Sequence, residues 1–288
     1  MTFTLPGFDL DEFVRTTLAE DLGEGLDGGG RDVTSHSVIP ADARFSGVMD
    51  SRDAIIVAGL PVAEAFFRHL DPEAEIEALV KEGEPVAPGS DLMRMSGRAR
   101  AMLTAERSAL NIVQHLSGIA SLTRDYVAAM RVGSATCELL DTRKTLPGLR
   151  ALEKYAVRMG GGQNHRMGLW DAAMIKDNHV AVAGSVGEAV RRAAEAGVNP
   201  IICEVDRLDQ IEPALEAGAH HLLLDNMSPI MLKQAVELVA GRARTEASGG
   251  INLDTIADKA ASGVDYCSVG RLTQSAPAAD VGLDFTPL

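Results

Sequence analysis

The chain has 288 residues, 46% of them apolar and 24% charged, with a formal net charge of -14 and a pI near 4.9. That length suits one large α/β domain or two smaller ones with a sizeable core. The acidic balance argues against a nucleic-acid or anionic-membrane partner, both of which need an extended basic face, and no run approaches the roughly 18 apolar residues of a membrane span. The opening "MTFTLPGFDLDEF" lacks a basic stretch followed by an apolar one, so a cytoplasmic protein is expected.

In chain order, Asp9 to Leu22 carries apolar residues near helical spacing and predicts a helix. "GEGLDGGGRDVTS" then breaks the pattern and predicts a loop or turn insertion. A phosphate-binding P-loop would need a preceding strand and a Lys-Ser/Thr pair, and neither is there. Ala43 to Gly59 and Ile76 to Gly97 predict short strands, with a helix over "LPVAEAFFRHLD" between them. Gly-centred turns around "EPV" resemble the half-barrel of biotinyl and lipoyl carriers, but Lys81 stands ahead of the turn, so a carrier role does not follow. Arg98 to Met130 predicts a long helical stretch interrupted near Ser117-Gly118.

After Val132 short apolar runs alternate with amphipathic segments that end at glycine. The runs are "ATCELL", "AAMIK", "PIICEV", "HLLLD", "RTEAS" and "DYCSVG". Successive βα units of this kind make a parallel sheet, in a barrel or a doubly wound fold. Each run ends in a polar or small residue: Thr142 to Lys144, Lys176, Glu204, Asp225, Ser248 and Gly270. That favours the barrel, whose strand C-termini converge on one mouth. Cys137, Cys203 and Cys267 sit inside such runs without CxxC or Cys/His ligand spacing, which predicts buried reduced thiols rather than a disulfide or a zinc site.

One segment runs against the acidic whole. From Asp141 to His179, Arg143, Lys144, Arg150, Lys154, Arg158, Arg166 and Lys176 face only Asp141, Glu153, Asp171 and Asp177. A mouth lined by these cations, by Glu204 and Asp225, and by the turns Ser248-Gly249-Gly250-Ile251 and Ser268 to Leu272 has a specific chemistry. Glycine-bearing turns after the last strands suit a phosphate. Guanidinium forks suit carboxylates. The pattern predicts a ligand with a phosphorylated sugar at one end and carboxylate at the other, and the glycines of "GGGQNHR" suggest close approach of backbone to something.

"DTRKTLPGLRALEKYAVRMGGGQNHRMGLWDAAMIKDNH" resembles the signature of the quinolinate phosphoribosyltransferases, and the likeness extends to "LTAERSALNIVQHLSGIAS", "CEVD", "LLLDNM", "EASGGI" and "VDYCSVGRLTQSAPAADVGLDF". The resemblance implies an α/β fold: an open seven-stranded α/β barrel over residues 116–275 with an N-terminal α/β sandwich domain over 1–115, on which a tail, 276–288, packs back. It implies transfer of phosphoribose from phosphoribosyl pyrophosphate to quinolinate with decarboxylation. Arg107 would enter the site of the partner in a homodimer. Arg143, His165, Arg166 and Lys176 would bind the quinolinate carboxylates, and Lys144 would lie between quinolinate and the leaving pyrophosphate. Glu204 and Asp225 would take ribose hydroxyls and Mg²⁺, while Thr142, Ser248, Gly249, Gly250, Ser268 and Gly270 complete the substrate contacts.

Two departures from the family pattern stand out: "GRLTQS" puts Arg271 and Gln274 where a small residue and a histidine are usual, and the glycine-rich loop near the start is expanded. Within the same fold a Schiff-base lyase using Lys144 or Lys176 is an alternative, but it leaves the Arg/His set without a role. A relative that binds a different anion without turnover is a third reading.

Overall fold

A computed structural model describes residues 3–24 and 30–288. The glycines of 25–29, the heart of the expected loop insertion, lie outside the described residues. The elements run α1 (Leu10–Leu22), α2 (Val33–Val38), β1 (Arg44–Ser51), β2 (Ile55–Ile56), α3 (Leu60–Leu70), β3 (Glu75–Ala78), β4 (Pro85–Val86), β5 (Ser90–Arg98) and α4 (Ala99–Gly133). Then come β6 (Glu138–Leu140), α5 (Arg150–Met159), β7 (Ala173–Ile175), α6 (Asp177–Ala183), α7 (Val186–Glu195), β8 (Ile201–Val205), α8 (Ile211–Glu216) and β9 (His221–Asp225). The chain continues through α9 (Pro229–Val239), β10 (Arg244–Ser248), α10 (Ile256–Ala260), β11 (Tyr266–Ser268), α11 (Arg271–Gln274) and β12 (Val281–Pro287). Among the described residues no helix is long and apolar enough to cross a membrane.

The chain forms two compact units, the first from 1–122, 151–160 and 276–288, the second from 123–150 and 161–275. The first holds an antiparallel sheet in the order β12-β1-β5-β3. Met49 of β1 and Leu92, Met93 and Met95 of β5 are buried, as are Phe66 and Phe67 of α3 and Met102 of α4. α2, which the sequence reading left inside a glycine-broken loop, starts where Asp32 accepts the Ser35 backbone N–H at 2.9 Å, a side-chain cap on an otherwise unsatisfied helix end.

The expected interruption near Ser117-Gly118 is absent: α4 is one continuous helix of 35 residues. Both residues are small for another reason. The Ser117 hydroxyl accepts from Ala58 N at 3.0 Å and donates to Ala58 O at 3.1 Å. A Cβ added to Gly118 would stand 2.0 Å from the Pro277 carbonyl oxygen. These are points of close approach on an unbroken helix.

In the second unit all six runs read from the sequence are strands of a parallel sheet, ordered β6-β11-β10-β9-β8-β7. The expected seventh strand is reduced to one parallel bridge, Leu140 with Gln163. Gln163 N donates to Leu139 O at 2.8 Å and Asp141 N to Gln163 O at 3.1 Å. The chain then leaves the ladder, because Asn164 and His165 turn their donors to the Asp141 carboxylate. The sheet has its ends at β6 and β7, and it is open.

Helices α7, α8, α9 and α10 follow the strands as the alternation predicts. Ser185 and Ser228 cap α7 and α9 by accepting the N–H of Glu188 and Met231. The three cysteines are buried free thiols, as expected, although Cys137, just before β6, and Cys267 of the adjoining β11, remote in sequence, have their sulfurs 3.8 Å apart.

Candidate active site

Parallel pairing fixes which residues share an end of the sheet. The register sets Ser248 beside Asp225 and Ser268 beside Leu140, so Asp141 to Lys144, Lys176, Glu204, Asp225, Ser248 and Gly270 all come at or just past strand C-termini. Arg107 lies in the first unit, exposed on α4. Of the seven cations in the basic segment, Arg143, Lys144, Arg166 and Lys176 belong to this mouth or its adjoining loop. Lys154 is fully buried on α5 in the first unit. Arg150 is spent on structure, donating to Thr145 Oγ1 at 3.1 Å and to Met167 O at 3.1 Å.

On the sugar side of the expected layout, Lys176 Nζ is 2.7 Å from Glu204 Oε2. Asp225 is close enough to feel both: burial raises its pKa, the Glu204 carboxylate raises it further, and Lys176 opposes them. Asn226 donates to Asp225 Oδ2 at 2.6 Å, and its backbone N donates to Ser248 O at 2.9 Å. Asn226 adopts a left-handed φ of 56°, as does Gly249 at 86°, so two adjoining turns are bent in the sense that glycine and asparagine tolerate. A Cβ on Gly249 would fall 2.1 Å from Asn226 Oδ1.

Gly270 makes room for a cation. A Cβ there would sit 2.7 Å from Lys144 Cδ and 3.4 Å from Thr142 Oγ1. Lys144 is held at its backbone from two sides: Thr142 Oγ1 accepts its N–H at 3.0 Å, and the Thr273 hydroxyl donates to its carbonyl at 2.7 Å. Its side chain is exposed at the mouth. By contrast Gly161 of "GGGQNHR" serves backbone shape: it has φ 91° and an added Cβ would meet nothing within 4 Å.

The arginine side is built on buried carboxylates that the sequence reading did not single out. Asp141, fully buried, accepts Asn164 Nδ2 at 2.6 Å and His165 N at 2.9 Å. Arg166 Nη1 donates to Ala172 O at 3.0 Å, whereas Nε of Arg166 and Nε of Arg143 are buried without a hydrogen-bond partner among the described residues. Burial lowers the Arg166 pKa and the Arg143 charge lowers it further, while Asp171 opposes both. Cations with unspent donors are suited to anionic oxygen.

His165 behaves differently from the expectation. Its Nδ1 accepts the Arg166 backbone N–H at 2.7 Å and its Nε2 lies 3.1 Å from Glu246 Oε2. With both ring nitrogens engaged, a direct bond to a carboxylate requires one of these contacts to open. Glu246 lies 2.9 Å from His221 Nε2 as well. Burial works against its charge, but the two histidines facing it win and hold its pKa down to about 2. A cavity of about 280 Å³ is lined here by Arg166, Asp171, Ile202, His221 and Tyr266 beside His165.

Asp141 was legible, since it opens the basic segment at a strand end. Glu246 gave a weaker signal as the lone acid inside "RTEAS". Lys259 gave none, yet from α10 it reaches Met227 O at 3.0 Å and burial, its largest influence, lowers its pKa, with Asp225 among the opposing charges. Another cavity, about 510 Å³, lies at the opposite strand ends around Arg242 and Arg244. Its arginines are committed to Glu212 and Asp265 at 2.7 and 2.8 Å, so it offers an anion little.

Residues 32–117 match the family model for the quinolinate phosphoribosyl transferase N-terminal domain and residues 119–284 that for its C-terminal domain. The chain is 43% identical over 278 residues to a nicotinate-nucleotide pyrophosphorylase [carboxylating] of Mycobacterium leprae, covering 94% of this chain and 95% of that one. It is 38% identical over 270 residues to a probable enzyme of the same name from Bacillus subtilis, covering 93% and 90%. The crystal structure of NadC from Streptococcus pyogenes superposes with a TM-score of 0.92 at 38% identity, covering 99% of each chain.

Proposed function

The chain belongs to the quinolinate phosphoribosyltransferase family, and from that premise we propose how its own residues carry the reaction. The enzyme transfers phosphoribose from phosphoribosyl pyrophosphate to the ring nitrogen of quinolinate with loss of CO2, giving nicotinate mononucleotide and pyrophosphate in de novo NAD biosynthesis. The observation that carries the residue assignment is the pairing of Arg143 and Arg166, both with buried unpartnered Nε atoms, at the same strand ends as Lys176, Glu204 and Asp225.

In this reading Arg143, Arg166 and Lys176 take the two quinolinate carboxylates, and His165 forms the wall behind Arg166. Departure of pyrophosphate builds positive charge on the anomeric carbon and negative charge on the leaving oxygens, so Glu204 and Asp225 beside the sugar and Lys144 beside the leaving group complement both. Once alkylated, the ring nitrogen is cationic and accepts the electron pair freed when the 2-carboxylate departs as CO2, which removes the need for a Schiff base. Lys176 supports this view, because its amine is paired with Glu204 at 2.7 Å rather than free to act as a nucleophile. The turns of Ser248 to Gly250 and Ser268 to Gly270 cradle the 5′-phosphate.

Hard oxygen donors and the raised Asp225 carboxyl beside Glu204 fit a divalent cation shared with substrate phosphates, for which one or two protein carboxylates suffice. Glu204 and Asp225 would hold Mg²⁺, which would neutralise charge on the pyrophosphate. The active unit is a homodimer in which Arg107 reaches the partner's substrate, in the cytoplasm and with no nucleic-acid or membrane partner.

The direct test incubates the protein with quinolinate, phosphoribosyl pyrophosphate and Mg²⁺ and measures nicotinate mononucleotide and CO2. Arg143→Ala, Arg166→Ala and Lys176→Ala should each raise KM for quinolinate by roughly ten- to a hundredfold, since each removes a charge-assisted contact worth about 1.5–3 kcal/mol. Turnover without any such change in all three variants would refute the residue assignment.

A further inference from the structure

Behind the arginine-bearing loop lies a carboxylate that none of the proposed substrate contacts uses. Glu246, in the middle of β10, has its side chain buried to 1% exposure. Its Oε2 is 3.1 Å from His165 Nε2 in a hydrogen bond. The His221 Nε2 lies 2.9 Å from the same oxygen, at ion-pair distance, yet His221 Nε2 and Glu246 Oε1 both lack an aligned hydrogen-bond partner among the described residues. The aligned bond of this carboxylate is therefore the one to His165.

The other side of the same imidazole fixes its protonation. Nδ1 accepts the Arg166 backbone N–H at 2.7 Å, and a ring nitrogen that accepts carries no proton. The proton then sits on Nε2 and is donated to Glu246. The ring has little room to turn: it stacks on His221 with centroids 6.1 Å apart, and His221 in turn packs on Tyr266 at 5.5 Å. On its backbone side His165 N donates to Asp141. The segment from Asn164 to Arg166 is thus suspended between two buried carboxylates, Asp141 past the end of β6 and Glu246 inside β10.

We propose that Glu246 is a positioning residue for quinolinate recognition: through the Nε2–H of His165 it fixes the imidazole whose Nδ1 holds the Arg166 backbone, and so sets how the Arg166 guanidinium meets substrate. This rests on the reading of Arg166 as a carboxylate ligand. A filler in the sheet interior would serve as well with an apolar side chain, which avoids burying a charge with an unpartnered oxygen. The carboxylate is suited instead to orienting a histidine, as the groups behind metal-bound or catalytic imidazoles do.

The test is kinetic and uses the full chain. Glu246→Gln keeps the shape and an acceptor oxygen but loses the charge. It should raise KM for quinolinate by about tenfold, with KM for phosphoribosyl pyrophosphate within about twofold and kcat at saturating quinolinate largely kept, the pattern of lost uniform binding. In a double-mutant cycle, Glu246→Gln combined with His165→Gln should be no worse than His165→Gln alone, because the carboxylate acts through that ring. Equal losses in both KM values, or multiplying losses in the cycle, would mean a merely structural role and overturn the proposal. Nitrogen NMR of the wild-type histidines checks it without any core substitution: His165 should be the neutral Nε2–H tautomer, and an Nδ1–H form would overturn it. If Arg166→Ala leaves KM for quinolinate unchanged, the substrate assignment itself fails and this proposal with it. If Arg166→Ala raises that KM and Glu246→Gln does not, the positioning role alone is wrong.

Discussion

Two glycines of the site make opposite demands, and substitution separates them. Gly270 has an ordinary helical conformation, so alanine is permitted by the backbone, but its Cβ would press on Lys144 Cδ, part of a long flexible side chain. Gly270→Ala should leave the melting temperature within about 2 °C of the parent while lowering kcat at least about tenfold, if Lys144 stands at the leaving group as proposed. Gly249 has a left-handed φ, and its Cβ would also meet Asn226 N at 2.9 Å. Gly249→Ala should cost about 1–3 kcal/mol of stability and lower the melting temperature by roughly 3–10 °C. Thermal unfolding beside steady-state kinetics reads both, and identical profiles for the two would show that Gly270 does not exist to seat Lys144. At this scale the sequence was most informative where charge opposed context. Arg143, Arg166 and Lys176 stood out in an acidic chain, whereas Glu246 was one more acid among many and became visible only when the fold aimed two histidines at it.

Among the elements, periodicity located strands better than it located breaks. The six runs became six strands because each is short and bounded by glycine or a polar residue, and all but "RTEAS" are rich in branched or apolar residues. The interruption read at Ser117-Gly118 failed because small residues in a helix mark close neighbours as readily as ends, and α4 is crossed there by Ala58 and Pro277. The seventh strand failed because side-chain hydrogen bonds to Asp141 outbid a ladder after Gln163. α5 was hidden inside a segment read for its charge: Glu153, Lys154 and Tyr155 are all buried, a pattern that looks polar to any scale of hydropathy. Gly118→Ala tests the packing of α4. The added methyl has no room against a backbone carbonyl, so stability should fall by about 1–3 kcal/mol or more, read as a lower denaturant midpoint, and faster proteolysis should appear around 276–279. An unchanged midpoint would mean that the Pro277 segment is free to shift.

For the molecule as a whole, the acidic surplus sets its response to pH. Asp71, Asp171 and Asp265 are held below the ordinary carboxylate value: burial opposes this, but hydrogen bonds from Arg98 N, Met167 N and Thr245 N outweigh it. Glu246 is held down to about 2. A carboxyl with a depressed folded-state pKa contributes stability above its unfolded value, near 4, and loses that contribution as pH falls toward the folded value. The contribution of these carboxyls to the denaturation free energy should therefore be complete above about pH 5 and decline below about pH 4. For Glu246→Gln the deficit relative to the parent should shrink as pH falls from about 4.5 toward 2, because the parent is then losing the same charge. A deficit that stayed constant over that interval would show that Glu246 contributes through shape alone. Assembly supplies a second prediction at this scale. If Arg107 acts in the partner's site, mixing Arg107→Ala with Lys176→Ala chains should restore up to roughly a quarter of wild-type activity, because half the dimers are mixed and one of their two sites is whole. No recovery after verified subunit exchange would confine Arg107 to its own chain or remove it from the site.

The pairing of β12 with β1, from Phe45 with Pro287 to Ser51 with Val281, also bears on how this chain is made. One edge of β1 stays open while the whole parallel sheet is being synthesised, and its partner arrives from residues translated long afterwards. An unpaired edge strand of eight residues is a template for joining other chains, so the nascent protein is exposed to misassembly for most of its translation. The sheet-closing step is of high contact order and therefore intrinsically slow. That exposed edge, Arg44 to Ser51, lies far in sequence from the residues proposed for the chemistry.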